Sequence, residues 1–270
     1  MTPGKWIDPR DGTFLSHAEV LEKAAAASVV LLGEQHDKAA QHRWQLHVLA
    51  GLKALREDLV VGFEMFPARL DTQLSKWVAG DYPNEAAFLD ASEWKTVWGF
   101  PADLYLPIFR FCQQFKVPMY GLNCRRALVT EVGKLGWDAI ALEDRDGVTP
   151  ALPATPAYRQ YLFDITAGGS PNRKAQSAQD PVFDRFVRAQ QTWDRSFACR
   201  IAQLRQAGPK PPLVAGIIGR GHLEFGHGTP AQLQDLKISS TVVLLPHVGD
   251  EPPAENLADA VFCIDEREDA

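Results

Sequence analysis

Six short apolar runs constrain the fold of this chain more strongly than any other feature of its sequence. Each run has five or six residues and is bounded by turn-forming residues, and most are rich in Val, Ile and Leu without a polar residue at every second position. Such runs are typical of strands that are covered on both faces, as in parallel sheets. The predicted strands are Ser28–Leu32, Leu59–Phe63, Val117–Leu122, Leu213–Ile218, Thr241–Leu245 and Ala260–Ile264.

The segment between the first two runs predicts how the strands are connected. Lys38 to Arg56 carries apolar residues at the spacing of one helical face. A strand, a helix and a second strand at this distance form a βαβ unit, which joins parallel strands by a right-handed crossover. We therefore expect an α/β fold with a mainly parallel β-sheet flanked by helices and an inserted, smaller α-helical subdomain.

Two connections are longer than a plain crossover and define the predicted domains. The first connection runs from Met65 to Lys116, and the second runs from Arg125 to Pro212. We interpret residues 125–207 as the inserted helical subdomain, and residues 1–124 together with 208–270 as the sheet domain. Helical patterning in the two connections covers Ala68–Val78, Ala102–Phe115, Tyr158–Ala167 and Pro181–Gln206.

The charge and the N-terminal sequence bear on partners and location. A formal net charge of −6 without a Lys/Arg cluster disfavours nucleic acid or an anionic membrane as a partner. The N-terminal residues show no signal pattern, and no apolar stretch has the length of a membrane span. We expect a soluble, cytoplasmic chain, or a periplasmic protein or outer-membrane lipoprotein if a signal was trimmed. The acidic tail Asp265–Ala270 is expected to fray.

Polar side chains follow four of the predicted strands. In open α/β sheets, the carboxyl ends of the strands meet at one rim, and ligands bind there. We therefore expect these side chains to lie together beneath a helical lid, although any one of them alone has a structural explanation, such as capping of the next helix by Asp37. The residues are Glu34, His36 and Asp37 after the first strand, Glu64 after the second, Asn123 and Arg125 after the third and His222 after the fourth.

Two kinds of chemistry are open to this set. Two imidazoles, His36 and His222, and two carboxylates, Glu34 and Glu64, are suited to holding a divalent metal or to forming an acid/base pair with separated pKa values. A close-spaced H-E-x-x-H pair is absent, so a metal would need ligands from different strands. Dinucleotide, P-loop and G-x-S-x-G patterns are also absent, which disfavours nucleotide chemistry.

An ordered set of motifs from about Trp6 to about Leu245 resembles the ChaN-like haem-binding family. This family belongs to a wider superfamily with the Tiki, TraB and erythromycin-esterase proteins. The motifs are LLGEQHD with His42 after it, FEMF at Phe63–Phe66, GLN at Gly121–Asn123, AQQTWD at Ala189–Asp194 and GRGHLEFGHGTP at Gly219–Pro230.

The resemblance implies haem binding, in haem or iron acquisition or storage, by a homodimer that encloses two haems face to face. It also implies a tyrosine as axial ligand and a histidine from the partner subunit on the propionates. Ferric haem accepts a phenolate readily. In this chain Tyr158 and Tyr161, one helical turn apart, are the predicted haem-binding pair. Asp37, His42, Asn123 and Arg125 are predicted to support the polar site.

Two other functions remain open at this point. In the wider superfamily the corresponding glutamate and histidines are catalytic, and they match Glu34, His36 and His222 here, with Glu64 alongside. This alternative is a hydrolase that activates water toward an ester or amide, directly or through a metal. The third alternative is an interaction protein whose polar strand ends only hydrogen-bond one another.

Overall fold

The computed structural model of the protein describes residues 2–169 and 174–265, so the acidic tail, apart from Asp265, lies outside the described residues. Within these residues, eight strands form one sheet in the order β2-β1-β8-β7-β3-β6-β4-β5. The strands are β1 (Trp6–Ile7), β2 (Phe14–Leu15), β3 (Val29–Glu34), β4 (Leu59–Pro67), β5 (Met119–Asn123), β6 (Leu213–Gly219), β7 (Thr241–Val248) and β8 (Ala260–Ile264).

Strand pairing confirms the predicted mainly parallel sheet. The six strands from β3 to β8 pair in parallel, and only the short strands β1 and β2 join antiparallel, with β1 pairing to β8. All six predicted runs are strands of the parallel part. Strand β3, at the centre, lies between β6 and β7, so the polar ends of β6, β4 and β5 follow that of β3 on one side of the sheet.

The helices pack on both faces of this sheet. The four segments predicted to be helical in the long connections, and the predicted crossover helix, are helical over most of their lengths. The helices are α1 (His17–Ala26), α2 (Ala39–Leu55), α3 (Asp71–Ala79), α4 (Glu85–Ala91), α5 (Trp94–Val97), α6 (Leu106–Gln114), α7 (Arg126–Leu135), α8 (Pro156–Thr166), α9 (Asp184–Gln206) and α10 (Thr229–Asp235).

The core has two layers, one on each face of the sheet. Successive residues of a strand point to opposite faces, and Leu31 and Leu32 of β3 accordingly belong to different core clusters. The Leu32 cluster includes Val48 of α2, whereas the Leu31 cluster includes Phe197 of α9. Both faces of the sheet are therefore covered by helices and shielded from solvent, which is why the strand sequences do not alternate between apolar and polar residues.

The second connection contains α7, α8 and α9. Helix α9 packs along α7 and also on the sheet, because Phe197 and Ile201 in its second half belong to the sheet core. Its first half joins a smaller cluster with α8, which includes Leu162 and Val187. Within the described residues, no helix has the length and hydropathy needed to span a membrane.

Candidate functional site

The carboxyl ends of β3, β4, β5 and β6 meet at one rim and form the floor of a crevice. The crevice has a volume of about 510 Å³ and is walled by the first long connection on one side and by α7 and α9 on the other. Its lining includes His36, Glu64, Asn123 and His222 at the rim, with Trp98 and Trp193 above them. Of the strand-end residues that the sequence predicts to lie at one rim, the structure thus brings five together in the crevice: His36, Glu64, Asn123, Arg125 and His222.

Glu34 lies just beneath this floor and holds two imidazoles. Its Oε1 accepts hydrogen bonds from the Tyr105 hydroxyl at 2.7 Å and from His36 Nδ1 at 2.8 Å. His42 Nδ1 lies 2.9 Å from Glu34 Oε2. Burial alone would raise the pKa of Glu34, but the hydrogen bonds from His36 and His42 hold that pKa at about 2. Glu34 is therefore ionised at neutral pH and fixes the orientation of both rings.

His36 is the member of this group that reaches the crevice. Its Nδ1 is engaged by Glu34 and its side chain is 31% exposed, so its remaining ring edge faces the cavity. Burial by itself would lower the pKa of His36, but the Glu34 hydrogen bond and the charge of Glu64 raise it. A Cβ at position 219 would lie 2.8 Å from His36 Cε1, so Gly219 is needed for this close approach.

His222 is held from behind by a buried carboxylate. Its Nδ1 lies 2.7 Å from Oδ1 of Asp194 in α9, a fully buried residue. Burial alone would lower the pKa of His222, but Asp194 and Glu64 raise it. Its Nε2 lies 3.7 Å from Oε1 of Glu64, on the crevice side. Glu64 is itself fixed by the Gly219 amide, which donates to its Oε2 at 2.5 Å.

The sequence interpretation assigned no role to Asp194, although this residue lies within a motif quoted for the resemblance, and it took Tyr105 only as a structural contact under the end of the sheet. One signal for Asp194 is present in the sequence. Gln190, Asp194, Phe197 and Ile201 recur at helical spacing on the buried face of α9, and a carboxylate on an apolar helix face must have a partner. That partner could not be identified without the packing of α9 against the rim.

The four predicted supporting residues occupy different positions. His42 belongs to the Glu34 group, and Asn123 Nδ2 donates to the backbone oxygen of Glu64 at 3.0 Å. Arg125 lines the crevice but pairs with Asp146, its Nε lying 2.7 Å from the carboxylate. Asp37 is exposed and is not the capping residue of α2, whose N-cap position is Lys38 without a side-chain cap. The structural explanation offered for Asp37, helix capping, is therefore wrong.

The two tyrosines of α8 lie outside the described lining of the crevice and differ from each other. Tyr158 is buried, and its hydroxyl donates to Asp194 Oδ2 at 2.7 Å. Tyr161 is half-buried, and its hydroxyl donates to Glu224 Oε2 at 2.7 Å. Tyr161, Ile165, Phe225 and His227 form a surface that we call the aromatic face.

The aromatic face adjoins the rim of the sheet. Its two apolar members are well exposed, Ile165 to 51% and Phe225 to 37%. The Tyr161 ring centroid lies 5.7 Å from that of Phe225 and 5.9 Å from that of His227. A Cβ at Gly221, one residue before His222, would lie 3.4 Å from Ile165 Cδ1. The face is therefore on the outside of the same loop that carries His222 into the crevice.

A divalent metal at the polar site is not supported. Among residues 2–169 and 174–265, no group of three or more His, Cys, Asp or Glu side chains is arranged to hold a metal ion. The physical reason lies in the hydrogen bonds, because the Nδ1 atoms of His36 and His222 are each bound by a carboxylate, and Glu34 is enclosed by its own partners.

An open, mainly parallel α/β sheet with a polar site at its carboxyl rim, covered by helical connections, defines the structural class of this protein. Residues 20–233 match the family described as haem-binding uptake, Tiki superfamily, ChaN. This match covers most of the chain, and the protein belongs to that family. A comparison with curated protein sequences finds none that matches.

Solved structures of similar fold include a member of the same family. ChaN of Campylobacter jejuni, solved with cofacial haem, superposes with a TM-score of 0.70 at 21% identity, and the match covers 95% of each chain. The erythromycin esterase EreC in its open conformation has a TM-score of 0.51 at 12% identity, covering 97% of this chain and 83% of that one. The type III effector HopBA1 has a TM-score of 0.50 at 12% identity, covering 91% of each chain. At these identities the structures share the fold.

Proposed function

We propose that the protein binds haem on the aromatic face, with Tyr161 as the axial ligand of the iron, in haem acquisition or storage. Membership of the haem-binding family supports haem as the ligand. The observation that carries the choice of residue is the difference between the two tyrosines of α8. Tyr158 is buried with its hydroxyl on buried Asp194, whereas Tyr161 is only half-buried and its ring lies beside the exposed Phe225.

The chemistry of the face suits a ferric porphyrin. Phenolate oxygen is a hard ligand that favours iron(III), and apolar side chains such as Phe225 and Ile165 suit the flat macrocycle. Burial and Glu224 raise the pKa of the Tyr161 phenol, so the free protein holds it protonated. Glu224 accepts the hydrogen bond of this hydroxyl and is placed to take the proton when the phenolate binds iron.

A homodimer is part of the same proposal. A haem that lies on the aromatic face is covered by this chain on one side only, because Ile165 and Phe225 are surface residues. A second copy that presents the same face would cover the other side and bury the apolar surface of both. Haem binding and self-association are therefore expected to be coupled.

Haemin titration tests this proposal. We expect the wild-type protein to give a saturable Soret shift with a high-spin, phenolate-like spectrum, and Tyr161→Phe to lose it. Tyr158→Phe is the matched control, since it removes a hydroxyl from the same helix and should retain the spectrum. A wild-type protein that gives no saturable shift at micromolar haemin, or a Tyr161→Phe variant with an unchanged spectrum, contradicts the proposal.

A second candidate function is metal-independent hydrolysis of an ester or amide in the crevice. The observation that favours it is the arrangement around His222, whose Nδ1 is bound to Asp194 while Nε2 faces Glu64 and the cavity. A histidine oriented in this way is suited to act as a general base toward water. His36 is the second imidazole at the same cavity.

Ester hydrolysis in the presence of a chelator tests the second candidate. If the crevice is catalytic, we expect wild-type turnover of p-nitrophenyl esters to survive metal removal, and His222→Ala to lower kcat/KM by about 100-fold or more. Tyr161→Phe should leave this turnover unchanged. Activity that persists in His222→Ala, or that disappears with the chelator, counts against this candidate and leaves the haem proposal unaffected.

A further inference from the structure

The crevice continues past Trp193 into a second cavity that neither proposed function uses. This second cavity, which we call the α7–α9 groove, has a volume of about 460 Å³. Arg126 and Trp193 line both spaces, so the crevice and the groove adjoin. Each volume is in the range typical of small-molecule sites. The apolar walls of the groove include Val129, Val182, Phe183, Phe186 and Ala189.

The arginines at the junction of the two cavities differ in whether a carboxylate pairs with them. Of the arginines that the structure describes, three line the crevice, and two of these are paired with carboxylates. Arg69 forms a two-pronged ion pair with Glu93 at 2.5 and 2.6 Å, and Arg125 pairs with Asp146 at 2.7 Å. Across the described ranges, 2–169 and 174–265, the exposed Arg126 side chain has neither an ion pair nor a side-chain hydrogen bond. As far as the structure describes the chain, the junction therefore carries one positive charge without an ion pair, that of Arg126, beside a groove with apolar walls.

We infer that the junction and the α7–α9 groove form a binding site for a medium-chain carboxylate. The guanidinium of Arg126 binds the acid head group, since a guanidinium and a carboxylate form two parallel hydrogen bonds. The alkyl chain lies in the groove along Phe186 and Ala189. The head group then lies beside Trp193, whose ring centroid is 6.4 Å from that of His222, so the polar end of the ligand faces the rim residues.

This inference does not depend on haem binding or on hydrolysis. The aromatic face is built from residues of α8 and of the loop after β6, and it shares no residue with the walls of the groove. A protein that fails to bind haemin could still bind a carboxylate, and the reverse is equally true. A negative haemin titration therefore leaves the carboxylate site untouched, and a negative decanoate titration leaves the haem proposal untouched.

Calorimetric titration with decanoate, below its micelle concentration, tests the site. We expect saturable one-to-one binding to the wild-type protein and a loss of affinity of about tenfold or more in Arg126→Gln, because a hydrogen-bonded charge is lost. Arg126→Lys should recover part of the affinity. Arg185→Gln is the matched control, because Arg185 lines the same groove away from the crevice, and it should change the affinity little.

Decan-1-ol separates the contribution of the head group from that of the chain. Its binding should be the same in wild type and Arg126→Gln, while Trp193→Ala should weaken both decanol and decanoate. Circular dichroism of each variant checks that it is folded. The inference is overturned if the wild type does not bind decanoate, if Arg126→Gln binds it as well as the wild type, or if Arg185→Gln causes the larger loss.

Discussion

At the scale of single residues, the carboxylate of Asp194 determines how His222 behaves. Asp194 is fully buried. Its Oδ1 lies 2.7 Å from His222 Nδ1, and its Oδ2 accepts a hydrogen bond from the Tyr158 hydroxyl, also at 2.7 Å. The Asp194 carboxylate can accept both hydrogen bonds and keeps a proton of His222 on Nδ1, while Nε2 lies 3.2 Å from the Gln190 amide nitrogen and 3.7 Å from Glu64. The buried residue therefore controls the one that faces the crevice.

Replacing Asp194 by Asn tests this control. The amide keeps the shape of the side chain but removes its charge, so burial is no longer opposed by Asp194 and the pKa of His222 should fall below its wild-type value. The measurement is an NMR titration of the His222 ring protons. Tyr158→Phe, which leaves the carboxylate in place, should cause a smaller change. An unchanged His222 titration in Asp194→Asn would show that the charge of Asp194 has no such role.

The sequence predicted the site residues carried by strands better than those carried by helices. Glu34, Glu64 and His222 lie at or near the carboxyl ends of buried strands, and the geometry of a parallel sheet alone places them at one rim. Asp194 and Tyr105 come from the long connections, and their positions depend on how α9 and α6 dock on the sheet. Docking of a helix is determined by side-chain packing, which a single sequence does not reveal.

At the scale of secondary-structure elements, length decided which predictions were confirmed. The six parallel strands have at least five residues each, and the helices α2 and α9 run for several turns, so their apolar patterns can be recognised in the sequence. The unpredicted strands β1 and β2 have two residues each, too few for any periodicity to register. Helix α1 begins with a complete capping box, formed by Ser16 and Glu19. The sequence prediction relied on apolar runs and did not include this helix.

The contact between β4 and β5 gives a stability prediction at this scale. Their register shifts between Phe63 and Pro67, and the displaced backbone passes over Gly121. A Cβ at Gly121 would lie 2.6 Å from the Phe66 carbonyl oxygen, a backbone atom that cannot move alone. We expect Gly121→Ala to lower the free energy of unfolding by about 1–3 kcal/mol. The measurement is chemical denaturation.

Gly208→Ala is the control for this prediction. A Cβ at Gly208 meets no atom within 4 Å, and the residue does not require a positive φ. Its substitution should change the unfolding free energy by about 0.5 kcal/mol or less. Equal stability of Gly121→Ala and the wild type would mean that β4 moves away from β5 at little cost.

At the scale of the whole molecule, the polar site makes stability depend on pH in both directions. The pKa of Glu34 is about 2 instead of the usual 4.5, so its contribution is present above pH 4.5 and is lost as the pH falls toward 2. The pKa values of His36, His42 and His222 are raised above 6.5, so their contributions are present below pH 6.5 and are lost as the pH rises above it.

We therefore expect maximal thermal stability between about pH 4.5 and 6.5 and a decline above it. His17 and His227 have lowered pKa values and act in the opposite sense, so the variant Glu34→Gln is needed to isolate the site. In that variant, His36 and His42 lose the charge that raises their pKa, and the decline from pH 6.5 to 8 should become shallower. Melting temperatures across this range provide the measurement. An identical slope in both proteins would exclude this cluster as its source.

The strand order has a consequence for how the chain is made. Strand β3 lies near the start of the sequence, but the two strands that pair with it, β6 and β7, lie in the last third of the chain. During synthesis, Val29–Glu34 therefore stays unpaired until β6 and β7 have left the ribosome, when most of the polypeptide has been made. An unpaired apolar strand of this kind is prone to aggregate. Production of the protein should therefore benefit from chaperones that shield nascent chains, more than production of a fold whose central strands pair with their neighbours in sequence.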